Sequence, residues 1–201
     1  MTAAAPRRLA LAAFAAFAAG CTLLAPAPDP SRFYVLVAHG GAASGASQLA
    51  LGVGPVRLAG YLAVSEIQVR ASATEVRRGS ADRWAEPLDE GIARVLGQNL
   101  SARLGTREVV LFPWHAGQRP ACQVQLSVRR FELEPDASGV LEVRYEVTDL
   151  AGSRGHVVRD VELRRPAAGG GTGASVAALS EALAELAEQI AADVLTLTGG
   201  G

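Results

Sequence analysis

The stretch Val124-Gln125-Leu126-Ser127-Val128-Arg129-Arg130-Phe131-Glu132-Leu133 alternates apolar and polar residues, and Val140-Leu141-Glu142-Val143-Arg144-Tyr145-Glu146-Val147 alternates back. Side chains of a strand point to opposite faces with a period of two, so each run has one dry and one wet face. Asp136-Ala137-Ser138-Gly139 between them are turn formers, and the pair reads as a long hairpin whose dry face needs a cover. A cover follows downstream. From Ser175, the positions Val176, Leu179, Leu183, Leu186, Ile190, Val194 and Leu197 step by three and four, with Glu181, Glu185, Glu188 and Asp193 elsewhere. That spacing predicts an amphipathic helix of about six turns, packed on the sheet. Its polar side is acidic, which argues against a helix lying on a membrane surface.

A second helix is predicted after Trp84. Pro87 suits a first turn, Glu86, Asp89 and Glu90 place negative charge at the positive end of the helix dipole, and Leu88, Ile92, Val95, Leu96, Leu100 and Leu104 keep helical spacing to Gly105. Ahead of it lie four strand-like pieces: residues 33–37, residues 49–58 with a Gly54-Pro55 interruption, residues 67–70, and residues 74–78 before a turn at Gly79-Ser80. Pro55 cannot donate to a ladder, so a bulge or an edge position is expected there. Being close in sequence, the four pieces are expected to form an antiparallel meander. Residues 108–113 and 157–163 are further strands. The expected fold class is α+β: a single two-layer domain, its largely antiparallel or mixed sheet packed against two long amphipathic helices.

The N-terminus is an address. Arg7-Arg8 precede an apolar run over residues 9–19, too short to span a bilayer and of the length of a signal-peptide core. Ala18-Ala19-Gly20-Cys21 closes it, small residues directly before a Cys, which is the pattern of a lipoprotein signal. Cys21 is therefore the expected lipidation site. More than one acyl chain, each methylene contributing about 0.8 kcal/mol, would hold the protein on a bilayer essentially permanently. Thr22, rather than Asp, follows and favours the outer membrane, with the domain on its periplasmic face. Residues 1–20 are then the signal peptide, residues 21–32 the lipidated Cys and a Pro- and Ala-rich tether, and residues 33–198 the domain. The part of the tether over residues 23–31 reaches at most about 30 Å.

Little else invites chemistry. Without Arg7 and Arg8 the formal charge of −1 becomes −3, which offers no footprint for nucleic acid. Of two cysteines, Cys21 is taken by lipid and Cys122 opens an apolar strand, where a buried structural thiol is expected. His39, His115 and His156 lie in or beside predicted loops with no partner at metal-ligand spacing. The glycines at 169–171 and 173 lack the Gly-Lys-Ser/Thr of a phosphate cradle. Acidic residues on the strands read as the solvated side of a sheet. No catalytic, metal or cofactor residue is expected, the covalent lipid on Cys21 aside, and the chain reads as non-enzymatic. Four residues are candidate partner contacts or core plugs: Tyr61 and Leu62 in a predicted turn, Trp84 at the start of a helix, and Trp114 beside Pro113 in a loop.

Phe33-Tyr34-Val35-Leu36 after a lipoprotein Cys, Val53-Gly54-Pro55-Val56 with Tyr61-Leu62 and Ile67, Arg83-Trp84-Ala85-Glu86-Pro87-Leu88-Asp89 running to Asn99-Leu100, Arg130-Phe131-Glu132 and the closing Ala-rich helix together resemble the ABC-type transport auxiliary lipoprotein family. The resemblance covers nearly the whole mature chain, and Trp84-Ala85-Glu86-Pro87-Leu88 is its sharpest piece. It implies an outer-membrane lipoprotein that works with a periplasmic MCE-domain protein and an inner-membrane permease to move phospholipid or related apolar molecules. Within that frame the domain reads first as a docking subunit. A carrier with its own lipid-binding cavity and an unrecognised periplasmic hydrolase are the alternatives.

Overall fold

The computed structural model describes residues 29–152 and 154–199. The expected signal peptide, Cys21 and most of the tether lie outside the described residues. In chain order the elements are β1 (Arg32–Tyr34), β2 (Leu51–Leu58), β3 (Glu66–Arg70), β4 (Val76–Trp84), helix α1 (Leu88–Leu104), β5 (Val109–Leu111), β6 (Cys122–Leu133), β7 (Gly139–Asp149), β8 (His156–Arg165) and helix α2 (Thr172–Thr198).

The alternating runs form the spine. β6 and β7 pair antiparallel from Cys122↔Asp149 to Leu133↔Gly139, and β8 extends them antiparallel along the far edge of β7. Cys122, Val124, Leu126 and Val128 of β6 and Val143, Tyr145 and Val147 of β7 point into the core. On the other face Arg129 reaches Glu142 and Asp160, each at 2.8 Å, and Arg144 reaches Asp160 at 2.7 Å, an exposed ladder of alternating charge. Both helices lie over the dry side. Leu96 and Leu100 of α1 and Leu179, Leu183 and Ile190 of α2 meet Leu126, Phe131 and Tyr145 there, all with almost no solvent contact. Tyr145 satisfies its hydroxyl by donating to Asp193 Oδ2 of α2 at 2.8 Å. Gly105, with φ 64°, closes α1 in the left-handed conformation that glycine adopts without strain.

The other edge of β6 is shared. β2 runs parallel to it from Leu51↔Cys122 to Leu58↔Val128, with β5 parallel on the outer side of β2. Beyond Val128 the β6–β7 register shifts at Arg129, and β3 takes over beside β6 through the parallel pair Val69↔Leu133. β4 pairs antiparallel with β3, and β1 parallel with β4. The sheet is mixed and forks at β6.

Several expectations are corrected. The first four strand pieces do not form an antiparallel meander, because only β3 and β4 are antiparallel neighbours; alternation within a strand says which face is buried and nothing about its partner. Gly79-Ser80 is no turn: it lies inside β4, where the pairing slips between Glu66↔Arg83 and Gln68↔Arg78, so the small residues accommodate a bulge. β1 ends at Tyr34, with the chain beyond it leaving the ladder, and β5 is shorter than residues 108–113. The interruption at Gly54-Pro55 is a register shift between Val53 and Val56 in β2, and this peptide is cis, as is Phe112-Pro113. α2 begins at Thr172, ahead of the expected Ser175.

Candidate functional site

Trp84 ends β4 and Leu88 starts α1, so the three residues between them must turn the chain at the rim of the sheet. Trp84 N donates to Ser65 O at 2.7 Å and Ala85 N to Tyr34 O at 2.9 Å, which stitches the turn to its neighbours. Glu86 folds against α1, accepting from Arg94 Nη2 at 2.5 Å, and the same nitrogen donates to Leu36 O at 3.1 Å. Pro87 caps α1, with Asp89 and Glu90 in its first turn. Held this way, Trp84, Ala85, Pro87, Leu88 and Asp89 face Leu58 and Val64 across an open, mainly apolar cleft of about 440 Å³. On the other side of Asp89, a second hollow of about 280 Å³ is lined by Val53, Pro55, Val56, Phe112 and Pro113. The two share Asp89. Among the described residues, Asp89 and Glu90 make no ion pair.

The candidate contacts divide around this region. Trp84 is 6 % exposed and forms one wall of the cleft, its ring centroid 6.0 Å from that of Phe131. Leu62 is 1 % exposed and belongs to the core. Tyr61 is 37 % exposed. Its hydroxyl lies 3.0 Å from Arg129 O and 3.2 Å from Glu132 Oε2. Burial, reinforced by the Glu132 carboxylate, pushes it up to about 12. Trp114 is half-buried, edge-on to the exposed Phe112 at 5.4 Å between centroids. It covers Gly52, where a Cβ would stand 2.6 Å from Trp114 Cη2. The structure brings Trp84 and Leu88 into one cleft, sets Phe112 and Trp114 beside the second hollow, and leaves Tyr61 in a separate cluster.

That cluster was not legible in advance. Glu132 is fully buried, although acids on the strands were expected on the solvated side. Arg70 of β3 grips it with Nε on Oε1 and Nη2 on Oε2, both 2.9 Å, and Arg130 Nε donates to Oε1 at 2.7 Å. Arg130 Nη2 also reaches Glu134 at 2.5 Å. Arg70 and Arg130 line an open pocket of about 530 Å³, but two arginines against two glutamates leave no net charge for an anion. The signal was the doublet Arg129-Arg130: two polar residues in succession break the period of two, and the bulge they mark brings Phe131 and Leu133 into the core and puts Glu132 on the opposite face beside Arg130, where Arg70 and Tyr61 cover it. The cluster holds β3 to β6 where the ladder contributes one pair.

No group of three His, Cys, Asp or Glu side chains among the described residues is arranged to hold a metal. No helix among them is long and apolar enough to cross a membrane. Cys122 is buried and free, and burial, with the nearby Asp149, pushes its thiol up to about 11. This is the reverse of an activated nucleophile.

The fold has known counterparts. A solved structure of an uncharacterized protein superposes with a TM-score of 0.67 at 20 % identity, covering 82 % of this chain and 98 % of that one. A protein from Xanthomonas campestris assigned to the DUF330 family gives 0.67 at 18 % identity, covering 84 % and 97 %. At such identities the likeness is one of fold. No curated protein matches the chain. The family model described as "ABC-type transport auxiliary lipoprotein component" matches residues 34–191, from β1 to the last turns of α2, and the chain belongs to that family.

Proposed function

We propose that this protein is the outer-membrane-anchored docking subunit of an MCE-type system that moves phospholipid or a related apolar molecule between membranes. Acylated Cys21 holds the domain on the periplasmic face. The open cleft between Trp84, Leu88 and Leu58 receives a periplasmic MCE-domain protein, which connects to the permease of the inner membrane. The family match over residues 34–191 carries the transport role. The docking reading is supported by the placement of Trp84-Ala85-Glu86-Pro87-Leu88: Trp84 and Leu88 root this piece in the core, and with exposed Ala85 and Pro87 they line an apolar cleft open to the surface. Of the four candidate contacts, Trp84 acts as a wall of that cleft and Trp114 flanks its neighbour; Leu62 acts only as support, and Tyr61 stands apart. The role is not catalytic, and no cofactor is needed beyond the lipid on Cys21.

The carrier reading gains nothing from the geometry. The space between sheet and helices is filled by Leu126, Phe131, Tyr145, Leu179 and Leu183. A cleft of 440 Å³ is in the range of a small ligand, on the order of 300–1,000 Å³, and open to solvent.

The test is co-purification in mild detergent of the tagged, full-length chain with the MCE-domain protein expressed beside it. Retention is expected. Ala85→Arg, a substitution at an exposed residue of the cleft lining, is expected to abolish retention without altering the unfolding midpoint. No retention by intact, acylated protein would sink the docking role.

A further inference from the structure

The chain leaving β1 carries a feature that docking in the cleft does not use. Phe33, Val35 and Val37 are 64, 52 and 55 % exposed, while Tyr34, Leu36 and Ala38, which alternate with them, pack against the core. Backbone contacts fix which face is which. Tyr34 O accepts from Ala85 N, Leu36 O from Arg94 Nη2 at 3.1 Å, and Val37 N donates to Ser180 Oγ at 3.2 Å. Alternate residues of an extended chain share a face at about 6–7 Å spacing, so the three side chains make a continuous apolar stripe. No other run of alternate positions among the described residues exposes three large apolar side chains to this degree. β1 pairs with β4 alone, so Phe33 stands on an edge strand, and Val35 and Val37 follow it beyond the ladder.

We infer that this stripe is a bilayer contact, lying at the headgroup–acyl boundary of the leaflet that the lipid on Cys21 enters. The inference rests on Cys21 being acylated, as in the proposed function. The length of chain between the two selects the membrane as occupant. From Cys21 to Phe33 a fully extended chain reaches at most about 43 Å, and it enters the domain at Arg32, next to the stripe. Phe33, where the stripe starts, is therefore within that reach of the anchor, one residue from the point of entry. Three side chains are too few to hold a protein on a membrane, where stable attachment takes a second signal. On a chain already held, the stripe acts at the effective concentration that the tether sets. The contact is apolar, since Arg32 at its start is engaged with Asp82 at 2.8 Å. It also gives the domain an orientation. The Ala85 N to Tyr34 O bond joins stripe and cleft, so a partner seated in the cleft ends against the leaflet.

The test uses the full acylated chain in vesicles of phosphatidylethanolamine and phosphatidylglycerol containing doxyl-labelled phosphatidylcholine. An environment-sensitive fluorophore is placed on Val35→Cys, or on Val158→Cys, an exposed position of β8 at 43 %. Buried Cys122 and acylated Cys21 leave the introduced thiol as the reactive one. The expected result is loss of fluorescence to doxyl lipid and shielding from aqueous iodide at position 35, with the reverse at position 158. Protein that floats with the vesicles while position 35 stays open to iodide overturns the inference and leaves the anchor standing. Shielding of position 35 from both quenchers overturns it in favour of a protein contact. Protein that fails to float overturns the anchor and the stripe together.

Discussion

Glu132 is a carboxylate without solvent, and its two oxygens take Arg70, Arg130 and the Tyr61 hydroxyl. Removing one member of a buried ion pair strands the others, at a cost of about 3–5 kcal/mol. Glu132→Ala should lower the urea unfolding free energy by that order. Because the cluster ties β3 to β6 beside a single ladder pair, amide exchange in β3 and β4 should accelerate while the β6–β7 hairpin stays protected. Uniform acceleration would mean that Glu132 does not hold the fork. Cys122 supplies a second test, with the opposite pH sense to a salt bridge. Its thiol is raised from 9.0 to about 11, chiefly by burial. A raised folded-state value favours the neutral form, so its contribution is complete below pH 9 and is lost as pH climbs to about 11. At about 1.36 kcal/mol per unit, the loss is on the order of 3 kcal/mol. Urea midpoints of wild type and Cys122→Ala should run parallel from pH 7 to 9 and converge above it. Parallel curves to pH 11 would refute the assignment.

Among the elements, α2 packs tightly on the hairpin at Gly139, where β7 begins. A Cβ there would lie 2.9 Å from both the backbone nitrogen and Cγ of Leu179, so the helix rests on bare backbone. Gly139→Ala should destabilise by roughly 1–3 kcal/mol, the range of overpacked cores, whereas the same change at Gly60, which has open space around it, should be nearly silent. Equal midpoints for the two variants would remove the close approach. Elements whose burial follows their own periodicity were legible in the sequence. Every position marked by the three- and four-residue steps of α2 is buried, and so is the dry face of β6 and β7. Partnership was not legible. Nothing within residues 51–58 says that β2 lies between β5 and β6, because pairing depends on segments up to 71 residues away along the chain, as in Leu51↔Cys122. The cleft shows the same limit: Trp84 to Leu88 stand out in the sequence, but Leu58 and Val64 join them only through the fold. Residues 33–37 read as a plain apolar strand, yet alternate members are exposed, since composition cannot tell an edge segment from a central one.

For the whole molecule, anchoring and folding are separable. Ser31–Gly201 forms one compact unit, and the large core side chains come from residue 36 onward. On the proposed reading the lipid on Cys21 serves attachment, and the domain's own core serves its stability. Cys21→Ala should therefore leave the domain's thermal midpoint unchanged while abolishing acyl labelling and moving the protein from the membrane fraction to the periplasm. If the proposed docking role holds, transport should fail with it even though the cleft is intact, because a released domain no longer holds its docking point at the leaflet. Fusing the same domain to a transmembrane anchor through residues 22–32 should restore part of that transport, since the tether and the geometry at Phe33 are kept. An acylated chain with the tether lengthened by a flexible insert should bind the partner but transport less well, as the fixed relation of cleft to leaflet is relaxed. Full transport by the released Cys21→Ala domain would show that a diffusible carrier suffices, and would replace the docking role by the carrier role.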